Sequence, residues 1–237
     1  MNLNYSEYSD IGGRSVNEDM VQVTSHQDCV IAMVADGLGG HGNGDIASRM
    51  VVSAISENIR NSAASKTMAE AAIRDANERM MAKQEKVHNN MKTTIALLWL
   101  NDTKACAAHV GDTRIYQFRD GKIIFQTKDH SVPQMEINLG HISQEQIRGH
   151  VDRNRLTRAL GYKRDVIIDS EMLTVQSGDA FLLCSDGFWE VIWENEMIDT
   201  LKKSKDAKSW LKEMLDLLSV RLTTESDNNT AIALCVN

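Results

Sequence analysis

Five aspartates of this chain share one local pattern: each stands where an apolar or strand-like segment meets a glycine or a polar turn. They are Asp19, Asp36, Asp112, Asp186 and Asp227. Each one alone indicates little, because Asp-Gly is chiefly a turn signature. Asp36 and Asp186, however, follow long apolar runs. Their carboxylates would therefore leave the hydrophobic core at a sheet edge, where an uncompensated charge is costly.

Clustered ionised aspartates are tolerated when divalent cations neutralise them, and oxygen ligands favour hard cations such as Mg²⁺ or Mn²⁺ over zinc. The cysteines do not compete with this interpretation, because they lie far apart inside apolar runs, without the paired spacing of a zinc or redox site. We expect all four to be reduced and buried; they are Cys29, Cys106, Cys184 and Cys235.

A pair of cations about 3.5–4 Å apart can bridge a water molecule, lower its pKa and hold it for in-line attack on phosphorus. Such a site needs no nucleophilic side chain. It does need a cation for the phosphoryl oxygens, for which arginine is suited, and it can use a proton donor for the leaving alkoxide. The acidic pattern thus favours a hydrolytic metal site.

The elements that must hold these carboxylates follow from hydrophobic periodicity. An apolar run predicts a buried strand over 28–35, and the glycine-rich segment after it cannot be helical. Apolar residues at helical spacing predict a helix over about 45–61, and Thr67 with Glu70 predicts, as a capping box, the start of a second helix. Further strands are predicted near 93–100, 105–110, 114–118, 122–126, 155–160, 167–175, 179–184 and 230–236, and further helices near 194–203 and 207–222.

The predicted strands come in blocks separated by pairs of helices, unlike the single alternation of a parallel βαβ fold. We therefore expect an α+β fold, a four-layer αββα sandwich in which two antiparallel sheets pack face to face and are flanked by helix pairs. The chain has one proline and 14 glycines, without a linker-like stretch. Residues 1–237 are expected to form a single domain, with the less regular segment 131–150 crossing its surface.

Composition excludes several classes of protein. The 237 residues include 33 acidic and 26 basic ones, for a net charge of −7. We expect no nucleic-acid partner, because a phosphate-backbone binder needs a basic stripe. No apolar stretch approaches the roughly 20 residues of a membrane span, and the N-terminus lacks the pattern of a secretory signal. We expect a cytoplasmic protein with no membrane contact.

Eight short motifs, in chain order, resemble those of the PPM/PP2C-type metal-dependent protein serine/threonine phosphatases in their compact bacterial form. They cover residues 13–19, 35–41, 93–94, 111–114, 129–131, 156–161, 184–187 and 227–230. The resemblance implies the αββα sandwich expected above, with metals at one end. It also implies hydrolysis of phosphoserine and phosphothreonine in proteins by a hydroxide that bridges two cations, without a phosphoenzyme.

The resemblance also implies roles for particular residues. Asp36 would bridge two core Mn²⁺ or Mg²⁺ ions, and the Gly37 carbonyl would bind one of them. Asp186 and Asp227 would complete the shell of the other ion. Asp112, together with Asp186, could hold a weaker third ion.

Further roles carry over for residues around these ligands. Asp19 would lie near the ion bound by Gly37, and Glu18 would act through a water molecule on that ion. Arg14 would bind the phosphate. Segment 131–150 corresponds to a flap that varies among bacterial members of the family and influences substrate choice.

The chain departs from the family pattern at two places. Many eukaryotic relatives have a histidine directly after the Asp-Gly pair, where this chain has Leu38; His41 follows three residues later. His41 is a candidate general acid, and a structural role in its loop stays open. Lys92 replaces a glycine that often precedes the Thr-Thr pair. We expect the other histidines to be structural or exposed, including His109, His130, His141 and His150.

Three functions remain open at this point. The first is a phosphatase that acts on phosphoproteins as a monomer and opposes a bacterial serine/threonine kinase. The second is a regulatory binding module that keeps the fold without catalysis; the complete set of expected aspartates argues for catalysis instead. The third is a hydrolase of a small phosphate ester. A nucleotide-binding loop over 37–44 is disfavoured, because no Gly-Lys-Ser/Thr follows.

Overall fold

Two five-stranded antiparallel sheets form the centre of the computed structural model, which describes residues 3–26, 29–38, 43–59 and 64–237. The first sheet has the strand order β1-β12-β11-β8-β9, and the second has the order β10-β7-β6-β3-β2. A short ladder joins β4 to β5. The strands are β1 (Leu3–Asp10), β2 (Met20–His26), β3 (Cys29–Ala35), β4 (Gly37–Leu38), β5 (Lys92–Thr93), β6 (Ile95–Leu100), β7 (Lys104–Val110), β8 (Arg114–Arg119), β9 (Lys122–Gln126), β10 (Asp169–Thr174), β11 (Ala180–Cys184) and β12 (Asn229–Val236).

Helix pairs cover the outer faces of both sheets. One pair packs on the second sheet and the other on the first, so the order of layers is helix, sheet, sheet, helix. The expected αββα architecture is confirmed. The helices are α1 (Gly44–Ile59), α2 (Lys66–Val87), α3 (Val132–Asn138), α4 (Asp186–Trp189), α5 (Glu194–Lys203) and α6 (Ala207–Ser219), with a 3₁₀ turn at Gln144–Gln146.

Strand β6 shows why the apolar runs of the sequence are continuous. All six of its residues are buried. Ile95, Leu97 and Trp99 belong to the core beneath the helices, whereas Ala96 and Leu98 belong to the core between the sheets. Successive side chains of a strand point to opposite faces. A strand covered on both faces therefore cannot show polar alternation.

The hairpin between β8 and β9 turns at Asp120 and Gly121, as predicted. Both residues have positive φ angles, 51° and 69°, which the favoured two-residue hairpin turns require.

All four cysteines are free; Cys106 and Cys184 are buried, while Cys29 and Cys235 are only half-buried. Within the described ranges, no helix has both the length and the apolar character needed to cross a membrane.

Three sequence predictions about elements were wrong. Helix α2 is capped by Ser65, whose extended backbone lets its side chain accept the N–H of Met68, so the predicted capping box at Thr67 does not form. Segment 155–160 is not a strand; it makes only isolated bridges, such as Leu160 with Thr93. Helix α6 ends at Ser219, three residues before the predicted end at residue 222.

Strands β1 and β2 were not predicted from the sequence. Both lie at sheet edges, where half-exposed side chains weaken the apolar pattern.

Candidate metal centre

A cleft of about 400 Å³ opens at the end of the sandwich where the loops around β3, β7, β11 and β12 meet. Seven of the nine predicted site residues form part of its wall, together with Ser15 and Val16 from the loop that carries Arg14 and Glu18. The predicted residues that line the cleft are Arg14, Glu18, Asp36, Gly37, Asp112, Asp186 and Asp227.

Asp36 is held by the Thr-Thr pair that the sequence singled out. The Asp36 N–H donates to Thr94 Oγ1 at 2.9 Å, and the Asp36 carbonyl accepts the Thr94 N–H at 2.8 Å. The Thr93 hydroxyl donates to the same carbonyl at 2.8 Å. The backbone of Asp36 is thus fixed on both sides, so its carboxylate is directed into the cleft from the end of β3.

Gly37 allows two segments to approach each other closely. Its N–H donates to the Glu18 carbonyl at 3.1 Å. A Cβ atom at this position would lie 2.3 Å from the Gly44 carbonyl oxygen, a distance that no side chain tolerates. Glu18 in turn accepts the Gly44 N–H at 3.2 Å through its carboxylate, and its carbonyl accepts the Ser48 hydroxyl at 2.6 Å. Glu18 therefore sits at the N-terminus of α1, where negative charge is favourable.

Asp19 lies behind the cleft rather than in its wall. It is buried, and the Ser185 hydroxyl donates to its carboxylate at 2.8 Å. Burial raises the pKa of Asp19 to about 7, although the hydrogen bonds from Thr230 and Ser185 oppose this shift. Asp19 is therefore a buried acid next to the candidate ligands, and its predicted role near an ion stays a prediction.

The carboxylates that line the cleft repel one another. Burial, and then repulsion from Asp186, raise the pKa of Asp36 and of Asp112 well above the usual range. Burial, and then repulsion from Asp227, raise the pKa of Asp186 to about 6. Close carboxylates in a low-dielectric cleft are stabilised by cations of high charge. This donor set, made of oxygen atoms, fits divalent Mn²⁺ or Mg²⁺.

Arg14 stands at the mouth of this acidic cleft. Its guanidinium donates to the Asp227 carboxylate at 2.7 Å, and its side chain is 55% exposed. Among the described residues of the cleft wall, it is the one Lys or Arg side chain. Arg14 can thus meet a phosphate that enters from solvent, because its pair with Asp227 is open to water.

Sequence reasoning missed two asparagines. The Asn228 side chain accepts the Glu18 N–H at 2.8 Å and donates to the carbonyls of Ile11 and Val16, so it secures the loop that carries Arg14 and Glu18. The 227–230 motif contained this signal. Asn154, which lies just beyond segment 131–150, also lines the cleft; no sequence signal pointed to it.

The histidines take the structural positions expected of them where they are described. His109 and His130 are buried and their rings stack at 4.5 Å, away from the cleft wall. Together with Asp169 they offer three potential ligand atoms within 4.8 Å. These groups, however, already have partners: Arg158 pairs with Asp169 at 2.7 Å, His130 Nδ1 accepts the Gly111 N–H, and His109 Nε2 lies 2.9 Å from the Lys128 carbonyl. His41, the candidate general acid, lies outside the described residues.

Comparisons with known proteins relate the whole chain to one family. The sequence profile of the family described as protein phosphatase 2C matches residues 8–227. The serine/threonine phosphatase stp of Listeria welshimeri is 32% identical over 232 residues, which cover 94% of this chain and 90% of that protein. Stp1 from Staphylococcus aureus shares the fold with a TM-score of 0.90 at 25% identity, over 100% of this chain and 96% of the other.

The catalytic domain of the serine/threonine protein phosphatase PstP was solved in complex with two manganese ions. It aligns with a TM-score of 0.85 at 28% identity, and the alignment covers 99% of both chains. Likeness over almost the whole of both chains includes the end of the sandwich where the carboxylates gather.

Proposed function

This chain belongs to the protein phosphatase 2C family, whose members are metal-dependent phosphatases, and we propose that its substrates are phosphoserine and phosphothreonine residues of proteins. The observation that carries this proposal is the cleft in which Asp36, Asp112, Asp186 and Asp227 meet beside Arg14. The names of the bacterial relatives support the substrate class.

Two divalent cations, manganese or magnesium, would be held by Asp36, the Gly37 carbonyl, Asp186 and Asp227. Asp112 and Asp186 could hold a weaker third. The two manganese ions of the PstP structure support this assignment, as do the raised carboxyl pKa values of this chain. When bound, the cations would supply an activated water molecule and neutralise the charge of the phosphoryl oxygens.

The chain's own residues would bind and orient the phosphate around these cations. Arg14 would turn from Asp227 to the phosphoryl oxygens, for which its forked guanidinium is suited. Glu18 would hold a water molecule at the edge of the cleft, and Asp19 would support the ligands from behind. Hydrolysis would then occur by direct attack of water, without a phosphoenzyme.

Substrate choice would depend on segment 131–150, which precedes two residues of the cleft wall. Segment 131–150 begins with α3, and the chain returns to the cleft wall at Asn154 and Leu156. We assign this segment the role of a flap beside the bound phosphoprotein. The opposing enzyme would be a bacterial serine/threonine kinase, and the phosphatase would act as a single-domain monomer.

The test is hydrolysis of a phosphothreonine peptide with Mn²⁺, with and without a chelator. We expect chelation to abolish turnover and Asp186→Ala to reduce it by several orders of magnitude. Asp199→Ala is the matched control, because Asp199 is 63% exposed and pairs only loosely with Lys202 at 3.6 Å. Turnover that resists the chelator, or an unaffected Asp186→Ala variant, would refute the metal mechanism.

The same assay decides between the alternative functions. Competition between the phosphopeptide and small phosphate esters measures substrate class, and stronger turnover of the esters would favour a small-molecule hydrolase. Folded protein that binds Mn²⁺ and phosphopeptide without any turnover would instead indicate a regulatory binding module.

A further inference from the structure

The turn that carries Asp112 is fastened to its surroundings at several points. Asp112 is 5% exposed and lies between β7 and β8. The preceding N–H, that of Gly111, donates to His130 Nδ1 at 3.1 Å. The carbonyl of Asp112 itself accepts a hydrogen bond from the indole Nε1 of Trp189 at 2.9 Å. The indole thus fixes the peptide plane directly behind a candidate ligand.

Trp189 connects this turn to a second candidate ligand. Asp186 is the first residue of α4 and Trp189 is the last, so the two residues lie one helical turn apart. Both Asp112 and Asp186 line the cleft, whereas Trp189 is buried and outside the cleft wall. The indole N–H therefore joins the two pieces of chain that supply these carboxylates, across 77 residues of sequence.

The indole is itself held in place. The Arg114 guanidinium carbon lies 3.4 Å from the centre of the Trp189 ring, a close cation–π contact. Arg114 is fully buried, and it donates two hydrogen bonds to the Asp129 carboxylate at 2.8 and 2.7 Å. On α4, the Trp189 carbonyl accepts Arg148 Nε at 3.0 Å. Because these contacts lock the ring, the direction of its N–H is fixed.

We propose that Trp189 is a positioning residue, whose indole N–H holds Asp112 at the separation from Asp186 at which both carboxylates bind one divalent cation. This inference rests on the proposed function, since it takes these aspartates as cation ligands. Residues behind metal ligands commonly set affinity, because they orient ligands without touching the ion. Trp189 acts in the same way, through the backbone of Asp112.

The test measures cation binding separately from hydrolysis. Mn²⁺ is titrated by calorimetry into the metal-free full chain, as wild type and as Trp189→Phe, which keeps an aromatic ring for Arg114 and removes the N–H. We expect the dissociation constant of the weakest resolved Mn²⁺ site to rise about 10-fold. The Mn²⁺ concentration for half-maximal hydrolysis should rise in parallel.

Trp210→Phe is the matched control. Trp210 is buried, and its indole N–H also donates to a backbone carbonyl, that of Met197 at 3.0 Å, outside the cleft wall. Its variant should bind Mn²⁺ like the wild type. If Trp189→Phe does not fold, replacement of Trp189 by benzothienylalanine tests the same point, because a sulfur atom then takes the place of the N–H in a ring of the same shape.

A double-mutant cycle with Asp112→Asn shows whether Trp189 acts through Asp112. We expect the effect of Trp189→Phe on Mn²⁺ affinity to disappear in the Asp112→Asn background. Wild-type affinity in the folded Trp189 variant, or an undiminished effect in that background, would overturn the inference. Failure of the proposed function is distinguishable, because it would leave wild-type Mn²⁺ binding intact without hydrolysis.

Discussion

Substitution of Asp186 by asparagine should stabilise the metal-free protein and destabilise the metal-loaded one. Asp186 lies in the cleft with Asp36, Asp112 and Asp227. Without a cation, ionised Asp186 is desolvated and repelled by Asp227. Asparagine is nearly isosteric and uncharged, so it removes both unfavourable contributions while it still offers an oxygen to the Gly187 N–H.

The magnitude follows from the pKa of Asp186, which is raised from the ordinary 3.8 to about 6. The folded state then binds this proton more tightly than the unfolded state does. At pH 8 the ionised group therefore costs about 3 kcal/mol of folding free energy, at 1.36 kcal/mol for each pKa unit. The full destabilisation is present above about pH 6 and disappears as the pH falls toward 4. The free energy of unfolding of the metal-free wild type should therefore rise as the pH is lowered from about 6 to 4.

Urea unfolding at pH 8 measures the free energy of unfolding of the metal-free and of the Mn²⁺-loaded protein. In chelator, we expect Asp186→Asn to exceed the wild type in free energy of unfolding by up to about 3 kcal/mol. In Mn²⁺ at 1,000 times the dissociation constant, ligand binding stabilises the wild type by about 4 kcal/mol. The variant should lose nearly all of that gain, which exceeds its advantage of up to about 3 kcal/mol in chelator, so the order of stability reverses.

Asp227→Asn is the control for this reasoning. Asp227 is 38% exposed and paired with Arg14 at 2.7 Å, so its neutralisation relieves the repulsion of Asp186 but little desolvation, and it removes an ion pair. It should weaken Mn²⁺ binding and stabilise the metal-free protein less than Asp186→Asn does. If Asp186→Asn is no more stable than the wild type in chelator at pH 8, the carboxylates do not repel one another as the structure indicates.

Three further predictions concern the surroundings of the cleft. Arg114→Met should lower the free energy of unfolding by about 3–5 kcal/mol, because it leaves Asp129 buried and unpaired; Arg79→Met, in an exposed pair, should cost far less. Gly37→Ala should weaken Mn²⁺ binding and hydrolysis, since its Cβ would collide with the Gly44 carbonyl, whereas Gly149→Ala meets open space and should leave Mn²⁺ binding unchanged. Burial, and then the charge of His109, lower the pKa of His130 to about 4, so the folded state disfavours its protonation. Wild type should lose about 2 kcal/mol relative to His130→Asn between pH 7.5 and 5, as measured by urea unfolding.

Each of these predictions has an outcome that contradicts it. Equal losses from Arg114→Met and Arg79→Met would show that burial of the Asp129 pair does not matter. A fully active Gly37→Ala variant would show that α1 can move away from the cleft without consequence. A His130→Asn variant that follows the wild-type pH dependence would exclude His130 as a source of acid destabilisation.

The spacing of apolar residues predicted most of the longer helices and the buried strands, because the buried face of an element repeats at the period of that element. Helix α5 was predicted with its observed bounds, and β3 within one residue. Prediction failed where the surrounding chain decides the structure. Ser65, and not Thr67, caps α2, because the backbone of Ser65 is extended and its side chain accepts the N–H of Met68. At the edges, β1 pairs with β12, more than 200 residues away, and its mixed polarity gave no local sign of this pairing.

The sequence by itself determined that this chain has aspartates at the ends of buried segments, in an order typical of protein phosphatase 2C, and that two sheets must lie between helix pairs. The periodicity of apolar residues indicates which face of an element is buried, and the amino-acid composition shows which ligand atoms are available. Only the tertiary structure decided which of these groups meet. Arg14 reaches Asp227 across 213 residues, and Asp19 meets Ser185 behind the cleft wall. Such contacts depend on sheet register and loop packing, which no local pattern contains.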